Sequence, residues 1–317
     1  MHYRHSYHAG NFADVFKHVA VCGLLDALGR KDSGWCFVDT HAGAGAYDLG
    51  GEAAATTAEW RDGIARLTGA TTATAATAAA ASSKPAMPAL VARYLSLVRA
   101  FGGAEAGAYP GSPMLAAAIA RPQDRLLLCE RVPEVAEALR ASVGRRATVH
   151  LRDGYESVSL LPPAEKRGLV LIDPPFERTD EYEAMADFII AGVQRFAGGI
   201  YAAWYPIKNE HVASRFRRRV ARDSGRPVLD LRIDVGVAER AEVARDPPQG
   251  RATGPRVQQY SPRKAQAIVK VRMHACGLLL VNPPFGFEAQ AREALAFLTP
   301  LLVQGPRSGY SVDAVAA

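Results

Sequence analysis

Short apolar runs that end at a carboxylate recur along the chain. Four of them follow one another in sequence, at Trp35–Asp39, Arg125–Glu130, Thr148–Gly154 and Gly168–Asp173. The stretches between them have helical apolar spacing, as over Pro133–Gly144. Short strands that alternate with helices predict a doubly wound, mostly parallel α/β sheet. Ligands bind beyond the carboxyl ends of the strands in such a sheet, which is where these carboxylates would lie.

The first two of these strands are too far apart for a simple strand–helix–strand unit. In a nucleotide-binding unit, the acid that takes the ribose follows the glycine-rich turn by roughly 20 residues. Here Glu130 follows Asp39 at a much greater distance. We therefore expect most of residues 50–110 to be an inserted helical subdomain, with helical apolar spacing at Thr57–Leu67 and Pro88–Phe101.

Two segments of unusual composition interrupt this pattern. Gly69–Ser83 is a run of Ala, Thr and Ser, which we expect to be a surface loop rather than an Ala-rich helix, because it has no apolar stripe. Ala238–Val271 is rich in Arg, Pro and Gly and is expected to be a basic, irregular excursion. Further strands are expected at Gly199–Trp204 and Gly277–Val281. We therefore divide the chain into a tail with the first part of the sheet domain (1–49), the insertion (50–110) and the remainder of the sheet domain (111–317).

The candidate chemistry begins at the glycine-rich turn Asp39-Thr40-His41-Ala42-Gly43-Ala44-Gly45. Small residues after a strand let a ligand approach the backbone closely. The turn lacks the full dinucleotide-binding pattern, so a purely structural tight turn is an equal alternative. Glu130 would accept hydrogen bonds from both hydroxyls of a ribose, or would be a solvent-exposed carboxylate. Asp153-Gly154 would place an acceptor beside an adenine amino group, or would form a simple turn pair.

The strongest motif is Leu171-Ile172-Asp173-Pro174-Pro175-Phe176-Glu177. Its two prolines hold the chain extended and fix the directions of the Asp173 side chain and the carbonyl that follows it. Phe176 offers a face on which a flat ring stacks. Two acceptors on the N–H groups of an aromatic amine would favour a pyramidal nitrogen and stabilise the charge that develops as it attacks an electrophilic methyl group. A Pro-Pro strand end without chemistry is the alternative.

A near-copy of this motif occurs later, at Leu280-Val281-Asn282-Pro283-Pro284-Phe285. Either copy offers the residue types for amine chemistry, so their order along the chain has to decide. Asp173 ends the fourth strand of the series that begins at the glycine-rich turn, whereas Asn282 follows a strand that we expect to be late or at an edge. We therefore assign Asp173 to catalysis and Asn282 to structure.

Composition and charge narrow the class of protein. The 317 residues include 38 Lys+Arg and 32 Asp+Glu, and the net charge of +6 suggests a polyanionic partner. The chain shows neither a long apolar run nor a secretory signal, and its four cysteines are scattered, so we expect a cytoplasmic protein with reduced thiols. The N-terminal histidines lack acidic or cysteine partners, and we expect no metal site. The absence of coiled-coil heptads predicts a monomer.

One run of basic residues bears on the polyanionic partner. Lys208–Arg222 contains six Lys and Arg residues and the single acid Glu210. We expect it to contact phosphates, with a solvated helix face as the equal alternative.

Together these motifs resemble the bacterial 23S ribosomal RNA large-subunit methyltransferase J family, over nearly the whole chain. Beyond the glycine-rich turn and the Asp173 motif, the resemblance rests on Tyr3–Asn11, Tyr109–Pro113, Trp204–Pro206 and Val281–Pro284. It implies a Rossmann-like, S-adenosylmethionine-dependent methyltransferase fold with a small helical insertion. It also implies direct methyl transfer to N6 of a flipped-out adenosine in 23S rRNA.

The resemblance implies a role for each matching residue. Asp173 and the Pro174 carbonyl would orient the amino group, with Phe176 in place of the family's usual tyrosine. Tyr3 would contact the RNA, with His5 and Lys17 as helpers. S-adenosylmethionine would be held by His18, His41, Gly43, Ser112, Glu130, Asp153 and Gly154.

The residues themselves leave alternatives to these roles. Ser112 precedes Pro113 and would also serve as a helix N-cap, and Asp14 with Lys17 would form only a surface ion pair. A DNA adenine or a protein glutamine is a second possible acceptor for the same motif, although the basic surface and the lack of a DNA-reading module disfavour both. A catalytically silent RNA-binding protein on the same scaffold is a third hypothesis, which the intact turn, Glu130 and Asp173 disfavour.

Overall fold

The computed structural model describes residues 5–77, 86–102, 107–237 and 273–316. The strands in this part of the chain are β1 (Cys36–Asp39), β2 (Ala46–Asp48), β3 (Ala108–Pro110), β4 (Arg125–Glu130), β5 (Thr148–Leu151), β6 (Gly168–Ile172), β7 (Ile200–Pro206), β8 (Val228–Asp234), β9 (Ala275–Val281) and β10 (Gly309–Ala314). The helices are α1 (Phe12–Gly29), α2 (Glu52–Thr57), α3 (Ile64–Thr77), α4 (Ala89–Phe101), α5 (Ser112–Ile119), α6 (Pro133–Val143), α7 (Glu181–Arg195), α8 (Glu210–Ser224) and α9 (Phe287–Leu302).

One large sheet forms the centre of the molecule. Its strand order is β10-β8-β9-β7-β6-β1-β4-β5, and β5, β4, β1, β6 and β7 pair in parallel. The β9 strand runs antiparallel to both of its neighbours, and β10 runs antiparallel to β8. The predicted mixed α/β fold with a mostly parallel sheet is therefore confirmed, and the carboxyl ends of β1, β4, β5, β6 and β7 share one edge.

Helices cover both faces of this sheet, which explains why β1, β6 and β9 are buried along their whole length. Along β6, Leu169 and Leu171 pack into one core with α1, α4, α5 and α9, whereas Val170 and Ile172 pack into a second core with α7 and α8. At the start of α1, the Asn11 side chain accepts a hydrogen bond from the Asp14 amide, which is a common way for a helix to begin.

The segment between β1 and β4 contains helices, as predicted, but two of its boundaries were predicted wrongly. Thr57–Leu67 is not one helix, because α2 ends at Thr57, Ala58 is left-handed with φ 51°, and α3 begins only at Ile64. The expected loop at 69–83 is helical as far as Thr77. The buried Ile64 and Leu67 anchor α3, and the Ala residues that follow have the highest helix propensity. Residues 78–83 lie outside the described part of the chain.

The second helical prediction of this segment is confirmed, since α4 spans Ala89–Phe101. Its buried residues Leu90, Tyr94 and Val98 belong to the same core as α1. The division of the chain into 1–49, 50–110 and 111–317 stays a prediction.

The strand that carries the second Pro-Pro motif is late in sequence but lies inside the sheet. Because β9 is inserted between β7 and β8, the expectation of an edge position was wrong. Since β9 is antiparallel to β7, Asn282 lies at the opposite edge from Asp173. Its side-chain amide donates to the carbonyls of Ala197 (3.0 Å) and Gly199 (2.7 Å). The β8 and β10 strands were not predicted, and residues 238–271 lie outside the described part. None of the described helices is long and apolar enough to cross a membrane.

Candidate active site

A large cleft opens where the parallel strands end. Its volume is about 1750 Å³, and it gathers residues from the N-terminal segment, the β1 turn and the loops after β4 and β6. Tyr3 lies outside the described residues, and Asp153 is not among the lining residues. The other predicted site residues all line the cleft, namely His5, Lys17, His18, His41, Gly43, Ser112, Glu130, Gly154, Asp173, Pro174 and Phe176.

The β1 turn depends on glycine at a specific point. Gly43 has φ 62°, and a Cβ there would lie 2.4 Å from the Tyr47 hydroxyl oxygen. The Gly43 N–H donates to Glu130 Oε2 (3.1 Å), and the Val132 N–H donates to Glu130 Oε1 (2.8 Å). The Glu130 carboxylate is thus held by two backbone donors at the wall of the cleft, rather than pointing freely into solvent.

The loop after β5 approaches the β1 turn closely. A Cβ on Gly154 would lie 2.2 Å from the Thr40 carbonyl oxygen and 2.6 Å from His41 Cε1, so only glycine fits there without a shift of the backbone. Asp153 accepts a hydrogen bond from the Tyr155 amide (2.9 Å) and so caps the short 3-10 helix that follows. The contacts of Asp153 are therefore those of the turn pair that was the alternative to a role in adenine binding.

Two histidines of the cleft, the buried His18 and the half-buried His41, are uncharged at neutral pH. Burial lowers the pKa of His41 to about 4 and that of His18 to about 3. His41 Nδ1 is hydrogen-bonded to Thr40 Oγ1 (2.7 Å), and His18 Nδ1 to the Tyr109 hydroxyl (2.8 Å). Because both rings are neutral, they can hydrogen-bond to a ligand without repelling a positive charge on it.

Ser112 binds a buried carboxyl group instead of capping its helix. The N-cap of α5 is Gly111, so the N-cap alternative for Ser112 was wrong. The Ser112 hydroxyl donates to Asp39 Oδ2 (2.6 Å), and the His41 amide reaches Oδ1 (3.3 Å). Burial raises the pKa of Asp39 to about 7, against the opposing effect of the Ser112 hydrogen bond.

The acidic residue of the Asp-Pro-Pro-Phe motif is paired with a buried lysine. Lys17 Nζ lies 2.5 Å from Asp173 Oδ2 and 2.9 Å from Asp14 Oδ1. Asp14 is 2% exposed and Lys17 4%, so the surface-pair alternative was wrong. Burial alone would lower the pKa of Lys17, but the charges of Asp14 and Asp173 bring it well above its usual value. The ammonium group therefore stays charged.

The aromatic end of the motif faces other rings. Phe176 has φ 53°, an uncommon value for a side chain of this size. Its ring meets Tyr182 edge-on at 5.1 Å and Trp204 edge-on at 5.9 Å between centroids. Both Phe176 and Trp204 line the cleft, which gives this end of it an apolar, aromatic wall.

Comparisons with known proteins identify the family of this chain. The family model described as "Ribosomal RNA large subunit methyltransferase D, RlmJ" matches residues 32–244. The Haemophilus influenzae protein named ribosomal RNA large subunit methyltransferase J is 33% identical over 316 residues, which cover 98% of this chain and 97% of the relative. The Escherichia coli protein of the same name is 34% identical over 305 residues, covering 95% and 94%. The chain belongs to the ribosomal RNA large subunit methyltransferase J family.

A solved structure supports the same conclusion for the fold of this methyltransferase. The crystal structure of a Legionella pneumophila protein is similar to it over 97% of this chain and 98% of that one, with a TM-score of 0.75 and 29% identity. The resemblance stated from the sequence motifs and the methyltransferase fold expected from it are thereby confirmed.

Sequence reasoning missed some residues that line the cleft of this methyltransferase. Trp204 lies near the end of β7, the neighbour of β6, and lines the cleft. The sequence contained a signal for Trp204, because Trp-Tyr-Pro ends a predicted strand, and that strand ends at the same edge of the sheet as the strand of Asp173. Tyr47 was missed as well, and nothing in its local sequence distinguishes it.

The basic run on α8 of this methyltransferase is largely engaged with acids. Arg217 is 7% exposed, with its guanidinium 2.5 Å from Glu210 and 3.3 Å from Asp230. Arg215 pairs with Glu183 at 2.9 Å. Arg219 and Arg222 also have carboxylate partners, Asp187 and Asp223 respectively. Arg218 of this run is exposed, and Lys208 is the member of the run that lies at the cleft. Phosphate contact along the run stays a prediction.

Proposed function

We propose that the protein transfers a methyl group from S-adenosylmethionine to N6 of an adenosine in 23S rRNA. The observation that carries the proposal is the position of Asp173. Its carboxylate follows β6 and is paired with a charged lysine, in a cleft that Phe176 and Trp204 also line and that has room for a cofactor and a base. Family membership gives the reaction class. The Asp-Pro-Pro-Phe motif supports an aromatic amino group as the group that is methylated.

The cofactor side of the cleft fits S-adenosylmethionine. Glycines at 43 and 154 leave room beside the backbone, and the neutral rings of His18 and His41 tolerate a positive charge. Glu130 offers a carboxylate to ribose hydroxyls. Asp153 and Gly154 would border the adenine, and Ser112 would border the pocket. Once bound, the cofactor supplies an electrophilic methyl group on a sulfonium.

The residues after β6 would orient the amino group. Lys17 engages Oδ2 of Asp173, and Oδ1 accepts no hydrogen bond from the described residues. Oδ1 and the Pro174 carbonyl then provide two acceptors for the two N–H groups of adenosine N6, so that the nitrogen lone pair is directed at the methyl group. The nitrogen gives up one proton as it is methylated, and Asp173, already hydrogen-bonded to it, is placed to accept it.

The target base has to leave its stack to reach this point. A flipped adenine would stack on Phe176, and a single-stranded or helix-flanking nucleotide makes that least costly. His5 and Lys17 also line the cleft, and family resemblance implies that Tyr3 contacts the RNA together with them. The exposed Lys208 is placed to contact the RNA backbone next to the target. We further propose that the protein acts as a cytoplasmic monomer.

The proposal is tested by incubating the protein with labelled S-adenosylmethionine and protein-free 23S rRNA, and analysing the digested nucleosides. We expect N6-methyladenosine, and no comparable transfer to DNA or to protein acceptors added in parallel. Asp173→Asn should slow the transfer by roughly 100-fold or more, because an amide nitrogen replaces an acceptor, while the Kd for S-adenosylmethionine changes little. The control Asp180→Asn, in the same loop but paired with Arg178 in solvent, should keep its activity. Turnover of Asp173→Asn at the wild-type rate would refute the assignment.

A further inference from the structure

Asp14 stands at the junction of three parts of the candidate site. Its Oδ2 accepts hydrogen bonds from His5 Nε2 (3.0 Å) and from the Gly10 amide (2.9 Å), and its Oδ1 accepts one from Lys17 Nζ (2.9 Å). Lys17 in turn reaches Asp173. One carboxylate thus links the segment before α1, the first turns of α1 and the loop after β6.

This carboxylate is buried, and it remains ionised. Burial alone would raise the pKa of Asp14, but the charges of His5 and Lys17 and the hydrogen bond from His5 bring it well below its usual value. A buried charge is tolerated only when it is paired and hydrogen-bonded. The interactions of Asp14 with the residues around it are therefore strong and directional, which suits it to hold other side chains in place.

A simpler explanation of Asp14 is helix capping alone. Asp14 is the third residue of α1, a position from which an acidic side chain commonly reaches back to a backbone N–H before the helix, and its contact with Gly10 is of this kind. Capping explains neither the contact with His5 nor that with Lys17. Those two contacts join Asp14 to side chains that line the cleft.

We propose that Asp14 is a positioning residue for methyl transfer, which holds Lys17 against Oδ2 of Asp173. The inference rests on the proposed function. With Lys17 anchored by Asp14, Asp173 can keep Oδ1 for the amino group of the substrate. Without Asp14, Lys17 would have a single anionic partner and would be free to turn across both oxygens of Asp173, competing with the substrate for its acceptor.

The proposal predicts coupling between Asp14 and Lys17, which single-turnover methylation of 23S rRNA can measure. Asp14→Asn keeps an oxygen for the Gly10 amide and removes the charge that holds Lys17. We expect a fall of about tenfold or more in the rate of transfer, with the Kd for S-adenosylmethionine within about threefold of wild type. If Asp14 acts through Lys17, the double variant with Lys17→Met should be no slower than Lys17→Met alone. Losses that multiply in the double variant, or an unchanged rate in Asp14→Asn, would overturn the proposal.

The pH dependence of the rate provides a second readout that a merely structural role would not move. Lys17 should lose its proton at lower pH in Asp14→Asn, so the alkaline limb of the profile should move to lower pH. The titratable groups that act on or lie beside Lys17 are Asp14, Asp173, His18, Asp39, Tyr47, Tyr94, Cys276 and, through Asp14, His5. Asp14→Asn removes one of the two carboxylates that hydrogen-bond to Lys17. A profile identical to that of wild type would count against the proposal.

Two further variants separate positioning from folding. Asp124→Asn alters another buried carboxylate, at the start of β4 away from the cleft, and should lower stability without changing the rate of transfer. If Asp14→Asn fails to fold, Asp14→Glu keeps the charge and the cap but moves the carboxylate by one methylene. We expect Asp14→Glu to fold and to transfer methyl groups more slowly than wild type, and full activity would overturn the proposal. Absence of N6-methyladenosine with the wild-type enzyme would instead refute the proposed function itself.

Discussion

The buried Asp39 carboxyl makes the stability of this protein depend on pH in an unusual direction. Its side chain is fully buried at the end of β1, where it accepts a hydrogen bond from Ser112. Burial raises the pKa of Asp39 from 3.8 to about 7 in the folded protein. Because the unfolded chain has the ordinary pKa, the folded state binds more protons than the unfolded state between about pH 4 and pH 7. The free energy of unfolding should therefore fall as the pH rises through this window.

The size of the effect follows from the same two pKa values. Each pH unit within the window costs about 1.4 kcal/mol, so Asp39 should lower the free energy of unfolding by about 2–3 kcal/mol between pH 5 and pH 8. Asp39→Asn removes this titration, and the Ser112 hydroxyl can turn to hydrogen-bond with the amide. The free energy of unfolding of Asp39→Asn minus that of wild type should thus be about 2–3 kcal/mol higher at pH 8 than at pH 5.

Urea unfolding of wild type and Asp39→Asn at pH 5 and pH 8 measures this difference, because the contributions of all other titrating groups are the same in the two proteins. Asp124→Asn is the matched control. Burial would raise the pKa of Asp124, but its hydrogen bonds from Arg121 and Trp35 lower it below the usual value. Its contribution is therefore present above about pH 4 and is lost only at lower pH. The effect of Asp124→Asn should be the same at pH 5 and pH 8. Equal effects of Asp39→Asn at the two pH values would refute the raised pKa.

Two further predictions concern a close backbone approach at the cleft and a buried hydrogen bond in the core. Gly154→Ala forces a Cβ against a carbonyl of the β1 turn, and it should destabilise the protein by about 1–3 kcal/mol and weaken S-adenosylmethionine binding in calorimetry. Gly29→Ala, at an open helix end, should do neither, and equal behaviour of the two variants would contradict the close approach. Tyr205→Phe removes a 2.6 Å hydrogen bond to the buried Asp230 and should cost about 1.5–3 kcal/mol in urea unfolding. Tyr201→Phe, which loses only a neutral bond to a carbonyl, should cost less; the reverse order would disprove the reasoning.

The positions of the main strands could be predicted from the sequence because each is short, apolar and followed by a polar turn. The strands of Asp39, Glu130 and Asp173 lie next to one another in the sheet and end at one edge. This geometry brings together residues that are far apart in sequence. Knowing only that the sheet is parallel was therefore enough to expect these side chains in one cleft.

The reversed half of the sheet could not be predicted in the same way. A run such as Ala275–Val281 has the composition of a buried strand whether it lies at an edge or inside, and whether it is parallel or antiparallel. Its place between β7 and β8 is decided by pairing with strands that local sequence does not identify. From the sequence, the Pro-Pro motif at Asn282 could therefore be assigned to structure only by its order along the chain, and not by its edge of the sheet.

Charged residues were the hardest to interpret, because their partners lie on other elements. An Asp and a Lys three residues apart on a helix look the same whether they form a surface pair or a buried network. The signal that separates the two is the rest of α1, which is apolar around its whole circumference and has 15 of its 18 residues buried. A helix of that kind is enclosed over most of its length, so a charge on its enclosed part has to be paired with another charge, whereas Asp26 near its end remains half-exposed. Applied to the sequence of α1, this reasoning predicts that Asp14 and Lys17 belong to an internal network, and it directs attention to the cleft that the network borders.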